Sequence, residues 1–98
     1  MVGKTCLKLR TKYTFHLKHV ESRQRAQVQG VVIKVIRYRG CGTTEYWVRL
    51  SRIPKKFEGD LWIDRDAENR PVIQIFKQKG MFYKGLYAGD VDFYVTVE

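Results

Sequence analysis

Residues 31–50, VVIKVIRYRGCGTTEYWVRL, decide the fold. Two runs rich in β-branched and aromatic residues flank a short loop with two glycines, which is the pattern of a β-hairpin. Gly40–Thr43 is read as a four-residue loop closed by Arg39 and Thr44. Val31, Ile33, Val35 and Arg37 then share a face with Leu50, Val48 and Tyr46. The other face carries Lys34, Ile36 and Tyr38 against Arg49, Trp47 and Glu45. One face is an aliphatic core, and the other mixes cations with exposed aromatics. Because side chains alternate, a slip of one residue would exchange the two.

Upstream, residues 6–19 alternate almost without a break. Leu7, Leu9, Thr11, Tyr13, Phe15, Leu17 and His19 fall on one parity, which predicts a strand, either bent or broken near Arg10–Lys12. Its outer face is a basic stripe of Lys8, Arg10, Lys12, His16 and Lys18. Glu21–Gln29 begins as a turn bearing Arg23 and Arg25 and enters a strand by Ala26 and Val28. The apolar parity switches between Val28 and Val31, so a β-bulge is expected at Gly30.

Downstream, Pro54 ends the hairpin strand, and Leu61 with Ile63 predicts a strand pairing with the run holding Ile73 and Ile75. Trp62 stands between two aspartates and is read as a core or inter-element residue. Met81–Tyr87 is read as a short strand interrupted at Lys84-Gly85, and the chain closes with Val91, Phe93, Val95 and Val97 inward. Six or seven short strands with recurrent turn signals and no amphipathic helix predict one all-β domain over residues 1–98. An OB-like barrel, an SH3-like barrel and a small sandwich all fit.

Composition bounds the partners. Net charge is +9 and very uneven. Residues 1–56 hold fourteen Lys or Arg against two acids, a balance of +12, and residues 57–98 hold five against eight, a balance of −3. Such asymmetry gives a surface with a directed field, which attracts nucleic acid, an anionic membrane or an acidic protein. No window is apolar enough to span a membrane, and the start lacks a signal-peptide core. Two cysteines, Cys6 and Cys41, make no disulfide framework, which fits a reducing, cytoplasmic compartment, although a single bridge between them is an open alternative. One Asn amid abundant Ile, Val, Arg and Glu leans to a thermophilic source, against which stand five glutamines.

The chemistry-bearing residues point mostly away from catalysis. His16 lies between Lys12 and Lys18, residue types that would serve a small metal-independent ribonuclease, but His19 falls on the opposite parity. The carboxylates sit near turns without catalytic or metal spacing, and no paired Cys or His motif suggests zinc. No glycine-rich phosphate loop opens a helix. The expectation is therefore a non-enzymatic nucleic-acid-binding protein with no cofactor, no metal and no small-molecule substrate. Single-stranded DNA or RNA is favoured over duplex DNA, because base stacking on aromatics beside a cationic track needs unpaired bases. The expected contact residues are Lys8, Arg10, Lys12, Lys18, Lys34, Arg37, Tyr38, Arg39, Trp47 and Arg49. The competing reading is a protein–protein module using the same basic face against an acidic partner or in a homodimer.

Overall fold

Alternating strands joined by short turns pair with their sequence neighbours, and here they do so all the way round. A computed structural model describes residues 6–98. It contains β1 (Lys12–His19), β2 (Arg25–Tyr38), β3 (Thr43–Leu50), β4 (Asp64–Arg65), β5 (Pro71–Gln78), β6 (Met81–Lys84) and β7 (Phe93–Val97). A 3-10 turn, Lys55–Phe57, follows the buried Pro54. β1 pairs with β2, β2 with β3, β3 with β5, β5 with β6, β6 with β7, and β7 returns to β1. Every pairing is antiparallel, so six strands close into a barrel and leave few free edges. β4 adds two residues to β5 on the edge that β6 also uses.

Inward residues fill the barrel. Phe15, Leu17, Val28, Val32, Tyr46, Val48, Ile73, Ile75, Phe93, Val95 and Val97 form one buried cluster, plugged by Phe57 and Leu61 from the long connection after β3. His19 packs its ring 4.9 Å from Phe93 and 5.7 Å from Phe57, and its Nδ1 lies 2.9 Å from the Ser22 hydroxyl. It is a packed, hydrogen-bonded histidine.

The central hairpin differs in detail from its sequence reading. Tyr38 pairs with Thr43, so the loop is Arg39–Gly42, and Val35 lies opposite Tyr46. A shift of two residues keeps every side chain on its predicted face near the tip, which is why Lys34 and Trp47 still point outward. The bulge falls between Val32 and Lys34 and not at Gly30. Inward parity therefore runs Val28, Gly30, Val32, and Val31 faces outward beside Arg49. Gly30 serves close packing instead. A Cβ there would collide with Val48 Cγ1 and lie 3.3 Å from the Phe15 ring.

Other departures have local causes. The first strand begins only at Lys12, because Arg10 adopts a left-handed turn (φ +61°) and its N–H donates to the Val32 carbonyl at 2.7 Å. Leu9, expected inward, is consequently half exposed. The expected strand around Leu61 and Ile63 shrinks to the two residues of β4, since Leu61 is used as a plug. Leu86 and Tyr87 lie in an exposed turn beyond β6. Cys6 and Cys41 are both exposed and unpaired.

Trp62, read as a core or inter-element residue, takes the second role and not the first. It is 46% exposed and holds a left-handed backbone (φ +53°), and its indole N–H donates to Asp92 Oδ2 at 3.1 Å. With Leu61 spent on the core, the chain must turn sharply, and the next side chain is thrown outward.

Candidate functional site

The outer face of β1–β3 gathers most of the predicted contact residues, in rows set by the strand registers. Lys12 lies opposite Val31, which lies opposite Arg49. Lys34 lies opposite Trp47. At the other end Lys18 lies opposite both Arg25 on β2 and Tyr94 on β7. From Arg25 to Lys34 is about 30 Å along the strand, at about 3.3 Å per residue. Gln27 and Gln29, both exposed on β2, occupy the middle of this track. Aromatic rings stand at its two ends, Tyr94 at one and Trp47 with Tyr38 at the other.

Among the described residues, no carboxylate lies within ion-pair reach of Lys12, Lys18, Arg25, Lys34 or Arg49. Arg70, on the other side of the barrel, instead bonds Asp66 at 2.9 Å and Glu68 at 3.0 Å. More positive charge arrives from the connection after β3. β2 runs past the end of β3, leaving carbonyls without a strand partner, and Arg52 donates to Gln27 O at 2.6 Å while Lys56 donates to Arg25 O at 2.7 Å. The cations that protect this edge therefore also extend the basic face.

The aromatic end is held by one carboxylate. Glu45 accepts from the Tyr38 hydroxyl at 2.7 Å and from Trp47 Nε1 at 2.5 Å. The bond to Glu45 raises the Tyr38 phenol above its ordinary value, keeping it neutral and donating. Lys34 Nζ sits 4.7 Å from the Trp47 ring centroid, so one ring face already holds a cation. Trp47 is half-buried on this outer face.

The remaining predicted contacts lie at the margins. Lys8 and Arg10 belong to the irregular segment before β1, and both are exposed. Arg37 and Arg39 are exposed at the β2–β3 tip, Arg37 on the inward parity at the open end of the barrel. Sequence reasoning missed Arg25, Arg52, Lys56 and Tyr94. Only strand pairing and long-range side-chain bonds bring these four to the face. His16 lies in the β1–β7 groove with its Nε2 3.4 Å from Glu98 Oε1. Among the described residues no cluster of His, Cys, Asp and Glu could hold a metal, and no helix is long and apolar enough to cross a membrane. No family model, curated protein or solved structure matches this chain.

Proposed function

We propose that the protein binds nucleic acid along the outer face of β1–β3, with single strands preferred to duplex and without chemistry on the bound strand. The observation that carries this reading is the set of five cations, Lys12, Lys18, Arg25, Lys34 and Arg49, sharing one face with no carboxylate partner among the described residues. Phosphates are the ligand such a row suits, since each neutralised phosphate releases counterions whatever the base sequence. Base edges are not read here. Gln27 and Gln29 are the chief uncharged hydrogen-bonding side chains along the track, and one pair of amides discriminates little. Trp47, Tyr38 and Tyr94 supply stacking surfaces at the track's ends, each worth ~1–3 kcal/mol per base. A base stacking on Trp47 displaces Lys34, whose ammonium is then free for phosphate.

The test is a fluorescence-anisotropy titration with single- and double-stranded probes, DNA and RNA, at several salt concentrations. Four or five phosphate contacts give a log–log salt slope of about −3 for a single strand. A flat salt response, or tighter binding to duplex than to every single strand, overturns the reading.

A further inference from the structure

On the other side of the barrel a trough runs over β5. β3 takes one edge of β5, and β4 and β6 share the other at Pro71–Val72 and Phe76–Gln78, so residues 73–75 have no strand beside them on that edge. Two adjoining hollows of about 530 and 480 Å³ lie there and share Gln74 and Leu86. The trough is acidic. Glu45, Glu58 and Asp64 line it, and Asp92 holds the Trp62 indole at its rim. Arg65 is the cation of the lining, and Lys84 nearby is fully buried with its Nζ bonded to the Gly85 carbonyl.

The rim is also apolar. Trp62, Leu86 and Tyr87 are each about half exposed, and Tyr38 closes one end. Contiguous exposed apolar surface marks interaction sites. Trp62 is displayed there by the left-handed turn that follows Leu61, with its indole tied to Asp92. The trough therefore suits a cationic surface with aliphatic stems between its charges.

The chain itself presents that surface. We propose that the trough docks the basic β1–β2 face of a second copy of this chain, head to tail. In the ring β1-β2-β3-β5-β6-β7, β1 lies three strands from β5 either way round, so the β1 side of the basic face and the trough point to opposite sides, and the two surfaces meet at Tyr38 and Glu45. The contact is heterologous and extends into short chains instead of closing as a symmetric dimer. The net charge of +9 opposes association at long range. Screening over about 8 Å at physiological ionic strength removes most of that repulsion and leaves the contacts between opposite charges inside the trough. This assembly takes up the same face that, on the reading above, holds nucleic acid, so a bound strand and a second copy exclude each other.

Analytical ultracentrifugation of the full chain tests the assembly without nucleic acid. Mass should rise with concentration at physiological ionic strength and return to monomer at high salt. Two charge-reversed variants separate the surfaces, Glu58→Lys/Asp64→Lys in the trough and Lys12→Glu/Lys34→Glu on the face, with melting curves confirming that each folds. Each alone should associate at least tenfold more weakly than the wild type. Mixed, they should form a 1:1 pair, because one retains the face and the other the trough. A single-stranded oligonucleotide should dissociate wild-type assemblies. If the oligonucleotide fails to bind while the variants still pair, the nucleic-acid reading falls and the docking stands. A mixture that stays monomeric, or trough variants that still assemble, overturns the docking.

Discussion

The outer faces of β1–β3 and of β5–β6 follow the same alternation and end up as opposite surfaces. On β1–β3 the outward residues Lys12, Gln27, Gln29 and Lys34 stay exposed, and the charge is positive. On β5–β6 the outward Phe76 and Tyr83 are buried, stacked at 5.6 Å, and Gly89 N–H from the loop above donates to the Tyr83 hydroxyl at 2.9 Å. That loop is locked down. Asp90 Oδ2 accepts from Leu86 N–H at 2.8 Å, and Gly85 has no room for a Cβ against the Asp90 carbonyl. A strand's outward face is thus a surface only where nothing folds back over it. In one half of the barrel it is a track, and in the other it is the floor of a second small core.

The sharpest way to break this contrast is to truncate both faces. Phe76→Ala should cost about 3–5 kcal/mol of stability, as for a core aromatic, although it points out of the barrel. Lys34→Ala on β2 should cost no more than about 0.5 kcal/mol. Denaturant unfolding midpoints of the two variants measure the difference, and equal small losses would mean that the loop does not cover β5.

The buried Lys84 gives the second test. Burial pushes its ammonium down to about 8 from 10.5, although Asp64, Glu45, Asp92 and Asp90 favour the charged form. The folded pKa lies below the unfolded one, so between about 8 and 10.5 the unfolded chain holds a proton that the folded chain lacks. Stability should therefore rise with pH across this window, by up to about 3 kcal/mol in total. Lys84→Met should flatten the rise, and the difference between the two proteins isolates the contribution of Lys84.

A third test addresses the core beneath the basic face. Gly30→Val should destabilise by about 1–3 kcal/mol through collision with Val48, seen as a lower melting temperature. An unchanged melting temperature would mean that the β2–β3 backbones can separate without cost.

Trp47 and its inward neighbour Val48 separate binding from packing at adjacent residues. Trp47→Ala should lower single-strand affinity by ~1–3 kcal/mol with a smaller loss of stability. Val48→Ala should lower stability by about 2 kcal/mol and leave the affinity of the folded molecule unchanged. The reverse pattern would show that the track is not the binding surface.

The smallest effect belongs to Glu45, the carboxylate among the aromatics. Glu45→Gln keeps an acceptor for Tyr38 or Trp47 and removes a negative charge from the end of the proposed track. Affinity should rise by about 0.5 kcal/mol at low salt and by less at high salt, read by anisotropy.

By itself the sequence determined the all-β class, the inward sets on β1, β5 and β7, and the sides taken by Lys34 and Trp47. A period of two states which residues share a face, and a register slip of two leaves that statement true. The closed barrel turned the basic half of the sequence into a basic side. In a closed meander each strand lies beside its neighbours in sequence, so residues 12–50 sweep one half of the wall. Only the tertiary structure decided the rest. The bulge at Val32–Lys34, and not at Gly30, depends on how β3 meets β2, because Gly30 is required where Val48 presses on its backbone. Arg25, Arg52, Lys56 and Tyr94 reach the basic face through strand pairing and bonds between residues far apart in the chain. Trp62 read as a core or inter-element residue, and it bonds Asp92 from the surface because Leu61 took the place in the core. Alternation along a strand is local and legible, whereas what crosses over a strand is set by contacts between distant residues.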